Sequence, residues 1–167
     1  MGESVEIYTD GACKGNPGPG GYGVVLLSVG RRKELSGGFR KTTNNRMELL
    51  ACIEGLRSLK RPCTVTLTSD SRYVVDAMTK GWAARWRSKG WKLSPSKQAK
   101  NPDLWALLLD LCSEHQVSFK WVEGHSGHPE NECCDVLAVA ASQLKDLPAD
   151  TAFENPVQAD DLFSAIS

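Results

Sequence analysis

The sequence predicts an α/β fold in which helices cover both faces of a mixed five-stranded sheet. Two patterns indicate this class. The first part of the chain contains three consecutive strand patterns with turn residues between them, which is typical of an antiparallel meander. The rest alternates between helical and strand patterns, which is typical of parallel strands joined through helices. The predicted sheet therefore combines a three-strand antiparallel meander with two parallel strands.

The strand predictions rest on β-forming residues that alternate with polar residues or run together. A Gly-Arg-Arg turn separates the second strand from the third. In chain order, the five segments are VEIYTDGAC, GYGVVLLSV, KELSGGFRK, CTVTLTSD and VSFKWVEG.

The first helical pattern is TTNNRMELLACIEGLRSL, where Thr43 or Asn44 can cap the N-terminus. Apolar residues lie nearly all round this helix, so we expect it to be buried between layers. The later helical patterns are SRYVVDAMTKG, PDLWALLLDLCSEH and HPENECCDVLAVAASQLK.

Composition and length set the broad class of the protein. The 167 residues suffice for one domain with a real core. No run approaches about 18 consecutive apolar residues, so we expect no membrane contact. The segment MGESVEIYTD lacks the basic and apolar regions of a secretory leader, so we expect a cytoplasmic protein. The six cysteines form no C-x-x-C pair, which predicts reduced thiols and no zinc site.

Charge is unevenly distributed, although the formal net charge is zero. The segment Lys80–Lys100 contains seven cations and no acid, whereas five acids face one lysine from Lys145 onward. We therefore predict a folded domain over residues 1–145. Residues 146–167 are predicted to form an acidic, flexible tail whose acids solvate it.

The stretch GPGGYG, residues 18–23, matches the G-x-G-x-x-G fingerprint of a dinucleotide-binding loop. That fingerprint requires a helix after the glycines, whereas a strand pattern follows here. Pro17 and Pro19 also remove backbone donors that a phosphate would need. We therefore interpret the stretch as a hairpin between the first two strands.

Four carboxylates stand out by their positions. Asp10 and Asp70 lie where the first and fourth strands end, an edge at which α/β sheets gather their sites. Glu48 lies in the first turns of the buried helix, on a face of small residues, although an Asn45-x-x-Glu48 capping box is the competing interpretation. Asp135 lies in the last helix.

Several carboxylates without a His or Cys cluster favour a hard cation such as Mg²⁺. A pair of such ions can activate a water molecule and stabilise the leaving oxygen in phosphodiester cleavage. The spacing along the chain does not by itself establish that the four groups converge.

His125 lies between glycines in EGHSGHPENE, ahead of the last helix. A histidine in such a loop suits proton transfer near neutral pH, and a plain surface residue is the alternative. His115 and His128 are interpreted as structural or incidental.

The basic segment Lys80–Lys100 also carries Trp82, Trp86 and Trp91. We expect these indoles to pack partly against the core. The acid-free charge beside them favours a groove or handle that holds a phosphate backbone.

Five stretches, in the same order as in the family, resemble ribonuclease H of type I in its bacterial form. They are YTDGACKGNPGPGGYG, TTNNRMEL, SDSRYV, GWKL with KNPDLW, and WVEGHSGHPENECCDVLA. The likeness covers residues 4–144. It implies an endonuclease that cleaves the RNA strand of RNA–DNA hybrids with little sequence specificity, leaving 5′-phosphate and 3′-hydroxyl ends. Residues 1–145 are then the catalytic domain.

The resemblance also implies the roles of the site residues. Asp10, Glu48, Asp70 and Asp135 match the family's Mg²⁺ ligands, with two ions bound beside substrate and Mn²⁺ as a substitute. His125 matches a mobile histidine that assists proton transfer or product departure.

Substrate contacts follow from the same resemblance. Asn16, Asn44 and Asn45 match residues that contact the minor groove of the hybrid. Thr43 and Asn101, with Lys41 nearby, match a pocket for a DNA phosphate. Trp82 and its neighbouring cations match a basic protrusion that holds the DNA strand. The predicted substrate-binding residues are Asn16, Lys41, Thr43, Asn44, Asn45, Arg72, Trp82, Arg85, Trp86, Arg87, Lys89 and Asn101.

Two positions depart from the bacterial pattern. Arg72 stands where close relatives carry Gln, and it could lower the pKa of Asp70, weaken metal binding or contact a phosphate. Gly81 is an inserted residue ahead of Trp82 that could shift the basic protrusion.

The expected partner is an RNA–DNA hybrid bound by a monomer, and the tail is a candidate for contact with another protein. A hybrid-binding module without catalysis is the main alternative. A nuclease of the same fold with another substrate, as in the integrases and junction nucleases, is a further one.

Overall fold

The computed structural model describes residues 3–156, and their main sheet has five strands. The strands of this sheet are β1 (Glu3–Cys13), β2 (Gly18–Ser28), β3 (Arg31–Thr42), β4 (Cys63–Ser69) and β7 (Gln116–Trp121). Two short strands, β5 (Lys92–Ser94) and β6 (Lys97–Gln98), form a separate hairpin. The helices within the described range are α1 (Asn44–Arg57), α2 (Arg72–Thr79), α3 (Trp82–Ser88), α4 (Pro102–Ser113), α5 (Pro129–Ser142) and α6 (Thr151–Glu154).

The order of strands across the main sheet is β3-β2-β1-β4-β7. The β1–β2 and β2–β3 pairs are antiparallel, whereas the β1–β4 and β4–β7 pairs are parallel. The predicted mixed sheet, with its meander and two parallel strands, is confirmed.

Helices α1 and α5 pack on opposite faces of the sheet. Successive β2 residues point to opposite faces, and Gly20 meets Met47 of α1 while Gly21 meets the α5 backbone at Ala138. A Cβ atom at Gly23 would likewise collide with the carbonyl oxygen of Cys134. The glycines of GPGGYG therefore lie in β2 itself, where they allow α5 to approach the sheet closely.

This placement excludes the dinucleotide-binding loop and refines the hairpin prediction. The hairpin turn precedes the glycines, because β1 ends at Cys13 and β2 already begins at Gly18. The Lys14 N–H donates to the Pro19 carbonyl at 2.9 Å and closes that turn.

Helix α1 is the buried helix that the sequence predicts. Met47, Leu49, Ile53 and Leu56 are fully buried. Its cap is Thr43, whose hydroxyl accepts the Arg46 N–H at 3.2 Å. The alternative Asn45–Glu48 capping box is therefore wrong, and Glu48 is available for another role.

The basic segment folds into α3 and the β5–β6 hairpin, and Gly81 precedes α3 with φ 74°. Trp82, Trp86 and Trp91 are half-buried against the core, as expected. The Trp86 ring meets the buried Trp105 edge-on, with ring centroids 5.7 Å apart.

The described part of the predicted tail packs against the domain. The Pro148 carbonyl accepts the Arg40 N–H at 2.9 Å, and Glu154 pairs with the Arg40 guanidinium at 3.1 Å. Asp150 is buried and bonded to Thr42 and Arg46. The prediction that the acids of the tail merely solvate it is therefore wrong for Asp150 and Glu154. Residues 157–167, with the acids Asp160 and Asp161, lie outside the described residues.

All six cysteines fall within the described range, and their thiols are free. Across residues 3–156, the helices are too short or too polar to cross a membrane.

Candidate active site

The site forms where β1 and β4, parallel neighbours in the sheet, end beside the first turns of α1. Asp10 lies near the end of β1, and Asp70 directly follows β4. Gly11 lies against the α1 backbone, where a Cβ atom would come within 2.5 Å of the Glu48 nitrogen. This close approach carries Glu48 to the strand ends.

Asp10, Glu48 and Asp70 form the carboxylate cluster. One oxygen atom from each lies within 4.8 Å of the others. Asp10 is 5% and Glu48 4% exposed. The Gly11 N–H donates to Asp10 Oδ1 at 2.9 Å, whereas the buried Glu48 Oε2 has no hydrogen-bond partner among residues 3–156. A buried acceptor without a donor is a position that a bound cation could satisfy.

The pKa values of the cluster carboxyls also favour a bound cation. Burial, followed by the charge of Asp70, raises the pKa of Asp10 to about 7. Burial and the charges of Asp10 and Asp70 raise the pKa of Glu48 well above its ordinary value. Burial also raises the pKa of Asp70. Because like charges in a buried site are costly, a bound cation would stabilise the ionised cluster.

The donor set fits a divalent cation of the Mg²⁺ class. The three side chains offer oxygen ligands alone, and such cations prefer carboxylate oxygens. No histidine or cysteine ligand belongs to the cluster within the described residues, so zinc fits it poorly.

Asp135 lies at the margin of the carboxylate cluster. It is half-buried on α5, the helix that packs against β2 through Gly23. The charge of Asp135 raises the pKa of both Asp10 and Asp70, so Asp135 is close enough to repel these two carboxylates. The structure therefore brings three predicted carboxylates within 4.8 Å and places the fourth outside that limit.

His125 lies in the exposed loop between β7 and α5, with φ 56°. A Cβ atom on the preceding Gly124 would lie 2.8 Å from Asp70 Oδ2, so this loop rests on the cluster. The charge of His125 is one of the influences that lower the pKa of Asp70, although burial outweighs it. His115 has the structural role expected for it, because its Nδ1 accepts the Cys63 N–H at 3.0 Å.

Arg72 stacks on Trp121, with its guanidinium carbon 3.8 Å from the ring centroid. The Trp121 indole N–H donates to the Asp70 carbonyl at 3.0 Å. Burial raises the pKa of Asp70, and the cation whose charge counteracts this rise is His125 rather than Arg72. A phosphate contact by Arg72 stays a prediction.

Several predicted substrate-binding residues meet at a groove of about 760 Å³, called here the α1–α4 groove. Asn16 fixes one side of it, because its Oδ1 accepts the Asn44 N–H at 2.9 Å. Lys41 is exposed near the end of β3 and is not part of the lining. The lining includes Asn16, Thr43, Asn45, Arg46, Lys100, Asn101, Asp103 and Phe153.

The predicted basic protrusion forms a second, shallower groove of about 330 Å³. Trp82, Arg85, Trp86 and Lys89 line it. Arg87 differs from its neighbours, because its guanidinium binds Asp110 at 2.7 Å. Its charge is therefore partly neutralised.

Sequence reasoning missed Arg46 and Asp150, which form a buried ion pair with Nε and Oδ2 2.7 Å apart. A signal for Arg46 was present, since a cation on a helix that is apolar nearly all round needs a buried partner. For Asp150 the local sequence held no such signal.

The sheet order and the carboxylates at its edge define a nuclease of the ribonuclease H-like class. The sequence profile of the family described as RNase H matches residues 2–143. The chain belongs to the RNase H family, and it is therefore an endoribonuclease.

The relatives agree with this assignment. Ribonuclease H of Rippkaea orientalis is 63% identical over 153 residues, an alignment covering 92% of this chain and 94% of the relative. The structure of LC9-RNase H1, a type 1 RNase H with the type 2 active-site motif, has a TM-score of 0.76 at 32% identity and covers 98% of this chain and 85% of that one. LC11-RNase H1, solved in complex with RNA/DNA hybrid, has a TM-score of 0.64 at 26% identity, with 82% and 95% covered. The resemblance to type I ribonucleases H is confirmed.

Proposed function

We propose that the chain hydrolyses the RNA strand of RNA–DNA hybrids at the carboxylate cluster, with little sequence specificity. The observation that carries the proposal is the cluster of Asp10, Glu48 and Asp70, in which one oxygen atom of each residue lies within 4.8 Å of the others. Among residues 3–156 the buried Glu48 Oε2 has no hydrogen-bond partner. The products would be a 5′-phosphate and a 3′-hydroxyl end.

Asp10, Glu48 and Asp70 would hold the cation, with Asp135 completing the set when substrate is bound. Mg²⁺, as two ions beside substrate or with Mn²⁺ in its place, would activate the attacking water and stabilise the leaving oxygen. The Gly11 N–H holds Asp10 in one orientation, and burial excludes bulk water from Asp10 and Glu48.

The residues of the two grooves suit a hybrid duplex. An A-like duplex presents 2′-hydroxyls in a wide, shallow minor groove, which Asn16, Asn44 and Asn45 would read by shape and hydrogen bonding. Thr43 and Asn101 would contact a DNA phosphate in the α1–α4 groove. The relative solved with an RNA/DNA hybrid supports this substrate class.

His125 would move a proton at the edge of the site. Its ring is exposed on the loop that rests on Asp70, so it can reach solvent and the reacting strand in turn. Histidine is the side chain best suited to proton transfer near neutral pH.

A substrate panel tests the proposal. Duplexes of RNA–DNA, double-stranded RNA and double-stranded DNA, each labelled on one strand, are incubated with the protein and Mg²⁺. We expect cleavage of the RNA strand of the hybrid alone, and ligation of the fragments will report their end groups.

Hybrid binding without released fragments in Mg²⁺ or Mn²⁺ would instead favour a binding module. Preferred cleavage of double-stranded DNA would indicate another nuclease of this fold. A cytoplasmic, monomeric state stays a prediction from the sequence.

A further inference from the structure

Arg46 is a buried cation whose guanidinium joins three parts of the chain. Its Nε and Nη2 donate to the Asp150 carboxylate at 2.7 and 3.1 Å. Its Nη1 and Nη2 also donate to Asp103 at 3.0 and 2.7 Å. The remaining bond runs from Nη1 to Asn101 Oδ1 at 3.3 Å.

The bond to Asn101 fixes the orientation of an amide in the α1–α4 groove. Arginine offers donors alone, so it holds the Asn101 oxygen, and the Asn101 nitrogen lies on the other side. That nitrogen donates one proton to the Tyr73 hydroxyl at 3.4 Å. Among residues 3–156 its second proton has no acceptor, which leaves this proton for a phosphate oxygen in the groove.

Asp150, which lies in the C-terminal segment of the described chain, fixes the position of the Arg46 guanidinium. Its Oδ2 also accepts the Thr42 hydroxyl at 2.7 Å, which ties it to the end of β3. Asp150 lies beyond residues 2–143, the part matched by the family profile. The segment that follows lines the groove with Ala152, Phe153 and Pro156.

We propose that Asp150 is a positioning residue for substrate: through Arg46 it keeps the Asn101 amide N–H₂ group directed at a DNA phosphate. This inference rests on the proposed hybrid substrate and adds Arg46 and Asp150 to the substrate-binding apparatus, as residues that act through Asn101.

The first test compares Asp150→Asn with Glu154→Gln in steady-state cleavage of an RNA–DNA hybrid. Both variants lose one negative charge from the same segment, and Glu154 contacts the exposed Arg40 rather than Arg46. We expect Asp150→Asn to raise KM about tenfold, the value of one hydrogen bond to a charged group, with kcat nearly unchanged. Glu154→Gln should leave both constants unchanged.

The sign of this effect separates positioning from long-range electrostatics. Loss of an acid beside a polyanion lowers KM by itself, so a raised KM must come from the altered pocket. A fall in kcat at constant KM would mean that Asp150 merely keeps more of the protein folded, and it would overturn the proposal.

A binding measurement tests the same inference without catalysis. In an Asp10→Asn background, affinity is measured for hybrids that carry one neutral methylphosphonate at successive DNA positions. We expect one position to weaken binding, and Asp150→Asn to remove that position dependence. If the dependence persists in the variant, Asp150 does not position the pocket.

If Asp150→Asn does not fold, Asp103→Asn replaces it, since Asp103 holds Arg46 from the more exposed side. The same loss of position dependence is expected, and its persistence would again overturn the inference. Failure of the parent chain to cleave hybrids would contradict the proposed function, whereas the binding scan would still report on the pocket.

Discussion

Asp10, Glu48 and Asp70 are carboxyl groups whose ionised forms are costly at this position. Burial raises the pKa of all three. Repulsion by Asp70 adds to this rise for Asp10, whose pKa reaches about 7, and repulsion by Asp10 and Asp70 adds to it for Glu48. A site of this kind is costly to the folded protein until a cation binds, so the same geometry that suits metal binding lowers the stability of the metal-free state.

The pH dependence of stability follows from that cost. A carboxyl group whose pKa is higher in the folded than in the unfolded protein favours folding at low pH, and this contribution is lost as pH rises. For Asp10 this stabilising contribution is lost as the pH rises from 3.8, the ordinary pKa of the group, to about 7, its pKa in the folded protein. We expect Asp10→Asn to exceed the parent in metal-free stability at pH 8 by about 4 kcal/mol, because the pKa of Asp10 rises by about three units and each unit corresponds to about 1.4 kcal/mol.

Thermal unfolding in EDTA between pH 5 and pH 8 measures this difference. The gap between variant and parent should widen as pH rises, and added Mg²⁺ should narrow it by stabilising the parent. Equal Tm values for the variant and the parent at every pH would show that the Asp10 carboxyl does not lower the stability of the metal-free protein.

Helix α3 and the β5–β6 hairpin form the element whose charge distribution most clearly suits a polyanion. Arg85 and Lys89 line the shallow groove there, whereas Arg87 is paired with Asp110. The structure thus separates three cations that the sequence treats alike.

We predict that Arg85→Ala with Lys89→Ala raises KM for the hybrid more than it lowers kcat. The salt dependence of log KM should flatten by roughly one unit per lost phosphate contact. Arg87→Ala should have the smaller effect. A matched control is Lys33→Ala with Lys60→Ala, two exposed lysines near the N-terminal end of β1. An unchanged salt slope in the first pair would remove the protrusion from the binding surface.

The sheet was predictable from the sequence because strand and helix periods are local signals. The position of the glycines was harder to predict, because the local sequence GPGGYG is typical of a turn. Its place inside β2 depends on the contact with α5, which a local pattern does not contain. Thr43 and Asn45 both suit a cap, and only tertiary packing decides that Thr43 caps and that Glu48 faces the strands.

The C-terminal segment shows the limit of local reasoning most clearly. Its acids, Pro148 and Pro156 carry no periodic pattern, yet Asp150 is buried because Arg46 already lies in an apolar helix and needs a partner. A partner 104 residues away leaves no trace in a local pattern.

At the scale of the whole molecule, residues 148–154 join the end of β3 to Arg46 of α1, which in turn pairs with Asp103 at the start of α4. We predict that a chain ending at residue 145 loses about 3 kcal/mol of stability, because removal of one partner leaves a buried charge poorly compensated. Chemical denaturation measures the change. A chain ending at Pro156 keeps all of these contacts and is the control, and equal stability of the two chains would show that the buried pair contributes little.

The most direct test of the carboxylate cluster combines metal binding with cleavage in three proteins: the parent chain, Asp10→Asn and Glu6→Gln. Glu6 is an exposed acid on the same strand and serves as the control. We expect Asp10→Asn to abolish Mg²⁺-dependent cleavage of the RNA strand and to weaken Mg²⁺ binding in calorimetry, with hybrid affinity retained and Glu6→Gln unchanged. Cleavage by Asp10→Asn at the parent rate would contradict the assignment of this cluster as the hydrolytic site.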